Sequence, residues 1–466
     1  MKIKNAWIAQ CVLAFVQAIV FLLPLSIELY KVNLLLIFAY TVGCALYMRV
    51  PFYHPYILFL CTFFLFMLSR VLLDVLGGVY FAENSSFIDY TFSAAVQLRL
   101  LLVLSISLLA IHFGAIFAFA KTQKYQKNTP NKQKYLQPIR KIALILFYGM
   151  LVPYFIRILT VVLYVKDHGY MAMYTGGERI ISNPILAISD DICTMGFYLF
   201  LATFPHRKAL KMPTAIFITL IIISLGMGFR GSALTQIFVL IAYSGLRGVI
   251  NKKRFVLAMV CMVMLSQFAF LFRMGATPSI ESLQTYTKDF FYNQGASITV
   301  VGLCIQEEEN LKEVSIFAPL LHIARNSVGA KLVGYRPPQA PSKEYALHSR
   351  ELGDILAYKT NKEIYLAGGG MGGALVAEFY LWAGYFGVFI GCLLFVYVIL
   401  YLFERYKYSV YGMFLLFYTL PEFFFSPRSS PLLILNYIIR PAIFLIFLHL
   451  FIQYGQKLKS SKSTNN

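Results

Sequence analysis

Two short motifs carry side chains that could hold a phosphate or move a proton, each beside glycine. In the first, Gly228-Phe229-Arg230-Gly231-Ser232 separates two apolar runs, and its glycines allow a tight turn. A helix that begins near Ser232 presents free amides and the positive end of its dipole to an anion. Arg230 could therefore bind a phosphate bidentately. The alternative is an interfacial arginine that extends towards lipid headgroups.

The second motif combines a histidine, an arginine, carboxylates and a glycine run. His-Ser-Arg-Glu at 348–351 precedes the run at 368–373, which has glycine at five of six positions, and Glu378 follows near the start of the next apolar stretch. Such a run disfavours regular helix and allows close approach of a ligand. A carboxylate in an apolar helix is costly unless it is paired or lines a wet cavity. The alternatives are a hinge for the glycines, a solvated loop position for His348 and a structural ion pair for Glu378.

Membrane helices must position both motifs. The sequence is 59% hydrophobic and 13% charged, which excludes an ordinary soluble domain. Stretches long enough to cross a hydrocarbon core predict an all-α polytopic membrane protein with about twelve transmembrane helices. They lie near 5–27, 32–48, 55–76, 97–120, 142–165, 186–204, 212–228, 232–246, 255–272, 370–403, 409–425 and 431–453.

The charges support a topology with both termini in the cytoplasm. The net charge is +20, and the cytoplasmic side of this topology holds 22 of the 41 basic residues but one of the 21 acidic residues. This is the positive-inside pattern, so no nucleic-acid partner is indicated. The topology gives a nine-helix region at 1–272, a large external loop at 273–369, three helices at 370–453 and a cytoplasmic tail at 454–466. The seven cysteines lack CxxC spacing and predict neither a disulfide framework nor a zinc site.

Arginine is concentrated outside the cytoplasmic side, where 11 of the 17 arginines fall. This distribution suits phosphate or pyrophosphate recognition, because a guanidinium can bind bidentately. The alternative is a set of salt bridges, such as Arg70 with Asp74 one helical turn on. Arg440, inside the last helix, needs a partner: it is expected to brace helices through a carboxylate or carbonyls, and the alternative is that it lines a cavity open to the outside. Asp190-Asp191 could hold a divalent cation, although nothing in the sequence requires a metal.

In three local patterns the chain resembles the bacterial O-antigen and surface-polysaccharide polymerases of the Wzy type. They are the Gly-x-Arg-Gly-Ser turn at 228–232, the loop that ends in His-Ser-Arg-Glu at 348–351, and the segment 368–387. The last carries a glycine run, Ala-Glu-x-Tyr and a Gly-x-x-Gly helix. The architecture, many membrane helices with one large late external loop, resembles this family over nearly the whole chain.

The resemblance implies a GT-C-like glycosyltransferase of the bacterial inner membrane that needs no metal or other cofactor. Its substrate would be an oligosaccharide repeat unit on undecaprenyl pyrophosphate, joined to another at the outer face of the plasma membrane. Membrane lipid and a chain-length regulator protein are the other implied partners. The implied catalytic residues are His348, Glu378 and Arg230, with either His348 or Glu378 as the base. Pyrophosphate or sugar would contact Arg230, Arg325, Arg350, Arg273, Tyr345 and Tyr365.

Two other functions use the same kind of substrate. A lipid-linked oligosaccharide flippase would also have about twelve helices and cavity arginines, but it should show two related halves, and the sequence has no such symmetry. An O-antigen ligase uses the same donor, and the sequence does not separate it from a polymerase.

Replacement of Arg230 by alanine is expected to abolish polymer while leaving single repeat units, because the guanidinium holds the pyrophosphate leaving group. A gel of surface polysaccharide from cells that carry the variant displays the chain lengths. Retained long chains would contradict the assignment of Arg230.

Overall fold

A computed structural model shows an almost entirely helical chain. It describes residues 2–77, 81–84, 90–123, 136–169, 172, 181, 183–227, 230–274, 283–325, 338 and 340–464. Within these ranges the only strands are β1 (Glu83–Asn84) and β2 (Tyr90–Thr91), which pair antiparallel.

The helices are numbered α1 to α20 along the described chain. The first ten are α1 (Lys2–Leu22), α2 (Ile27–Tyr47), α3 (Pro55–Phe63), α4 (Ser69–Val75), α5 (Ala94–Thr122), α6 (Leu136–Gly149), α7 (Leu151–His168), α8 (Pro184–Ala202), α9 (Arg207–Ser224) and α10 (Arg230–Leu246). The others are α11 (Lys252–Met274), α12 (Leu283–Gln294), α13 (Ser297–Gln306), α14 (Ala318–Arg325), α15 (Lys343–Ser349), α16 (Leu352–Thr360), α17 (Lys362–Leu366), α18 (Leu375–Tyr406), α19 (Val410–Phe425) and α20 (Asn436–Thr464).

The described helices make this a multi-pass membrane protein. Nine helical stretches in the described ranges are long and apolar enough to cross a membrane. The three other predicted crossings coincide with α10, α11 and α19, so the count of twelve stays a prediction. The last helix, α20, continues to Thr464, well beyond the predicted end of that span at 453.

Two long helices, α5 and α18, pack against each other in the core of the bundle. Gly114 on α5 faces the backbone of Leu393 on α18 so closely that a Cβ at position 114 would collide with the Leu393 carbonyl oxygen. Close approach of this kind needs a residue without a side chain. This contact therefore fixes the position of α18 along α5.

The structure corrects the predicted helix at 370–403. The glycine run lies outside the helix, which begins at Leu375, and non-helical backbone at Ala383 and Gly384 interrupts it. Gly384 has φ +59°, a conformation that favours glycine. The chain reverses here. The carbonyl oxygen of Phe379 lies against Gly387 and its ring lies against Gly391, although both glycines would be far from residue 379 in a straight helix.

A π-helical turn at Phe64–Leu68 joins α3 to α4 and sets the direction of Arg70. Arg70 makes no pair with Asp74, which was the sequence-based alternative. Asp74 instead accepts from Lys31 at 3.0 Å, and Arg70 donates to residues of α12 and α13. A π-helical turn contains one residue more than an α-helical turn and rotates the residues that follow it. Sequence spacing alone therefore does not predict the partner of Arg70.

Short helices make up the described part of the predicted external segment 273–369. One of them, α13, is apolar and buried, and it packs against α5, α18 and the π-helical turn. It therefore anchors the external segment in the main core.

Gly391 and Gly43 provide a matched pair of substitutions that tests the reversal of α18. Gly391→Ala should lower the free energy of unfolding by about 1–3 kcal/mol, because its methyl group would collide with the Phe379 ring. Gly43→Ala, on an open face of α2, should be neutral or slightly stabilising. Thermal unfolding of the detergent-solubilised protein compares the two, and equal unfolding temperatures would contradict the reversal.

Candidate active site

Glu378 is a buried carboxylate at one end of the bundle. Its exposed fraction is 4%, and Ser430 Oγ donates a hydrogen bond to Glu378 Oε2 at 2.7 Å. In the predicted topology, the ends of α4 and α19 and the starts of α10, α18 and α20 all lie on this outer side. The interruption of α18 places Glu378 on the short segment before the reversal, beside the linker to α20.

The glycine run lies against this carboxylate. A Cβ built on Gly373 would come within 2.8 Å of Glu378 Oε1 and 3.0 Å of the Ser430 nitrogen, so no side chain fits there. Gly372 has φ +71°, a conformation that favours glycine. A Cβ built on Gly370, in contrast with one on Gly373, would have no other atom within 4 Å. The run therefore has two parts: a close-packed end at Gly373 and an open end at Gly370.

A second buried carboxylate belongs to the same region. Glu422, near the end of α19, is 5% exposed and accepts a short hydrogen bond from Ser429 Oγ. The adjacent residues Ser429 and Ser430 thus each bind one carboxylate. Buried carboxylates need such partners, so the linker 426–430 fixes α18 and α19 together.

Two guanidinium groups flank the turn between α12 and α13. Arg70 is 4% exposed and donates to Tyr292 O at 2.8 Å, Thr299 Oγ1 at 2.9 Å and Tyr90 Oη at 3.1 Å, all neutral acceptors. It also stacks on the Tyr292 ring, 3.9 Å from the ring centre. Arg428, in the linker, donates to Gln294 Oε1 at 3.4 Å.

The structure places three of the predicted arginines only by their backbone. Arg230 begins α10, and the following Gly231 packs against Phe425 at the end of α19, so the start of α10 lies beside the linker that carries the serines. Arg273 lies near the end of α11 and Arg325 ends α14. Their side chains, and residues 228 and 229 of the predicted turn, lie outside the described part of the chain.

The other predicted residues lie on the short helices of the external segment. Tyr345 and His348 are half-buried on α15, and Tyr365 on α17 is buried and donates to Asp354 Oδ1 at 3.4 Å. Arg350 ends α15 in a left-handed conformation with φ +55°, its side chain exposed, and its carbonyl accepts from the Ser315 nitrogen at 3.1 Å.

A contact between two glycines connects the external segment to the glycine run beside Glu378. A Cβ on Gly353, at the start of α16, would lie 2.9 Å from the backbone of Gly372. Glu351 is in turn within electrostatic range of Glu378. Burial raises the pKa of the Glu351 carboxyl and raises that of Tyr345 to about 12. The external segment thus contacts the glycine run at Gly353 and brings the Glu351 carboxyl towards Glu378.

Several of the groups around Glu378 were not predicted from the sequence. Ser430, Ser429, Glu422 and Gln294 were not among the candidates, and Arg428 appeared only as one of the outer arginines. The available signal was the polar sequence Pro-Arg-Ser-Ser-Pro at 427–431 between two apolar helices, one of which carries Glu422. Two prolines in such a short connection predict a non-helical linker with polar side chains.

The fold and this site define a multi-pass helical membrane protein with buried carboxylates and arginines at one end of its bundle. The chain belongs to the O-antigen polysaccharide polymerase Wzy family, whose model matches residues 7–459. This membership confirms the resemblance and supports a role in O-antigen polymerisation. No curated protein and no solved structure matches the chain significantly.

Substitutions within the glycine run test the position of Glu378. Gly373→Ala should lower kcat about 100-fold, since the new methyl group displaces a carboxylate that must be correctly placed. Gly370→Ala, three residues away in open space, should keep the wild-type rate. Polymerisation rates of the two purified variants, at equal protein levels, measure the difference. Equal loss in both would indicate that the run acts as a hinge.

Proposed function

We propose that this protein joins undecaprenyl-pyrophosphate-linked oligosaccharide repeat units into O-antigen or another surface polysaccharide at the outer face of the inner membrane. The observation that carries the proposal is the buried Glu378, held by Ser430 beside the glycine run, within a chain of the Wzy family. Twelve membrane helices, a GT-C-like arrangement and cytoplasmic termini belong to the same proposal.

Glu378 is the proposed base of the reaction. The hydroxyl of the acceptor sugar attacks the anomeric carbon of the donor, and its proton passes to the Glu378 carboxylate. The bond from the anomeric carbon to the diphosphate oxygen breaks, and its electron pair leaves with the lipid diphosphate. The hydrogen bond from Ser430 orients the carboxylate, and the absence of a side chain at Gly373 leaves space beside Oε1. His348 is the alternative base.

Arginines are the proposed stabilisers of the leaving group, because the diphosphate gains charge in the transition state. Arg230 is the first candidate, since its helix start lies beside the linker that carries Ser430. Arg350, Arg325 and Arg273 are the further candidates, and Tyr345 and Tyr365 would contact sugar. In this proposal no metal or other cofactor takes part, and a chain-length regulator is a partner.

A ligase and a flippase are the competing functions for such a substrate, and the family match favours the polymerase. A gel of surface polysaccharide from cells with and without the gene separates the three. Loss of the ladder with core that carries a single repeat unit is expected. Loss of every surface-attached unit would indicate a ligase or a flippase, and an unchanged ladder would contradict all three.

In the same cells lacking the gene, Glu378→Gln should fail to restore the ladder. Loss of a general base lowers kcat by about 10²–10⁴-fold, whereas glutamine keeps the shape and the hydrogen bond from Ser430. His348→Gln is the comparison variant, and it should retain polymer if Glu378 is the base. Full activity of Glu378→Gln with an inactive His348→Gln would transfer the role to the histidine.

A further inference from the structure

Two arginine–aspartate pairs lie side by side within candidate membrane helices and have no part in the reaction above. Arg157 Nη1 lies 2.6 Å from Asp190 Oδ1, and Arg440 Nη1 lies 3.1 Å from Asp191 Oδ2. Tyr418 on α19 donates to Asp191 Oδ1 at 2.9 Å. These five residues, named the Arg–Asp cluster, connect α7, α8, α19 and α20. Each aspartate is thus paired with an arginine, and Arg440 has the carboxylate partner that its position inside the helix requires.

Bracing does not account for the exposure of the Arg–Asp cluster. The Arg440 and Asp191 side chains are 60% and 40% exposed, and those of Arg157 and Asp190 are 28% and 35% exposed. All four lie in helical stretches that are candidate membrane spans. Charged atoms in such a span that do not face protein must face water or a polar ligand, because hydrocarbon contact is costly. The cluster therefore lines a polar opening between helices.

The charge balance of the Arg–Asp cluster indicates what it could bind. Two guanidinium groups face two carboxylates, so the net charge is zero, and a phosphate would meet the repulsion of both aspartates. A neutral ligand rich in hydroxyl groups meets no such repulsion. Its hydroxyls can donate to the carboxylate oxygens and accept from the guanidinium N–H groups at the same time. Such a ligand is a carbohydrate.

The Arg–Asp cluster is also continuous with the candidate active site. Tyr418 and Glu422 are four residues apart on α19, about 6 Å along its axis. The Tyr437 ring lies 6.0 Å from the Tyr418 ring, and Tyr437 is within electrostatic range of both Glu422 and Asp191. Polar side chains thus lead from the linker serines to the cluster.

We propose that the Arg–Asp cluster binds the carbohydrate part of the substrate, as a subsite separate from the arginines that hold the diphosphate. The inference rests on the proposed function, because its ligand is the oligosaccharide repeat unit. It assigns the sugar chain to the polar opening among α7, α8, α19 and α20, while the diphosphate lies at the glycine-rich turns.

Kinetics of the full-length protein in lipid vesicles test this subsite. The substrate is the lipid-linked repeat unit from cells that lack the gene, and the competitor is the free oligosaccharide released from it. Asp191→Asn and Arg440→Gln should raise KM at least about tenfold with kcat unchanged, since each removes charge-assisted hydrogen bonds. The inhibition constant of the free oligosaccharide should rise by the same factor. Glu309→Gln, which breaks the exposed outer pair with Lys312, is the matched control and should keep the wild-type KM.

A charge exchange separates binding from bracing. Asp191→Arg combined with Arg440→Asp restores an ion pair but moves every donor and acceptor, so the raised KM should persist in a folded protein. Recovery of the wild-type KM would show that the pair only braces helices. A KM effect confined to vesicles with anionic lipid, without change in oligosaccharide inhibition, would assign the cluster to headgroups instead. Wild-type KM in the single variants of an active protein would overturn this inference alone, whereas an inactive wild-type protein would contradict the proposed function as well.

Discussion

The hydrogen bond from Ser430 to Glu378 is the interaction on which this end of the bundle depends. A carboxylate that is almost completely buried must keep a partner, so the linker before α20 stays against the start of α18. The bond can form only because Gly373 has no side chain and because the chain reverses at Gly384. The absence of a side chain at Gly373 and the backbone conformation of Gly384 therefore determine where Glu378 lies.

The opposite end of α18 is held by the same principle with different groups. Glu404 lies 2.9 Å from His54 Nε2 and 2.7 Å from Lys407 Nζ, and it is 5% exposed. His54 Nδ1 accepts from the Tyr56 nitrogen at the start of α3, so Nε2 carries the proton that it donates to Glu404. A buried carboxylate thus anchors α18 at each end, and the close approach of Gly114 fixes its middle against α5. A scaffold with this rigidity can hold a reactive group in one orientation.

Much of this fold can be predicted from local sequence, because apolar runs of membrane length and the bias in charge are properties of contiguous segments. The partners of buried polar groups cannot be predicted from local sequence. Asp74, four residues away, was the sequence-based partner of Arg70, but two of its three acceptors among the described residues, Tyr292 and Thr299, are more than 200 residues away. The reversal of α18 was hidden because Gly384, Gly387 and Gly391 fit a helix-packing stripe equally well. Glu378 could be selected from its cost in an apolar helix, whereas the role of Ser430 depends on tertiary contact.

Arg70 differs from Arg157 and Arg440 in how its charge is balanced, and the difference suits the proposed substrate, which has two chemically different parts. Arg70, buried at one side of the site, has only neutral hydrogen-bond partners among the described residues, so its positive charge remains available to attract a nearby anion. Arg157 and Arg440 are each neutralised by an aspartate and keep hydrogen-bonding capacity without net charge. A lipid-linked oligosaccharide has an anionic diphosphate and a hydroxyl-rich sugar chain joined at the anomeric carbon. A protein that leaves positive charge near one part and balances charge near the other orients such a molecule in one direction only, because the reversed orientation would bring the diphosphate to the two aspartates.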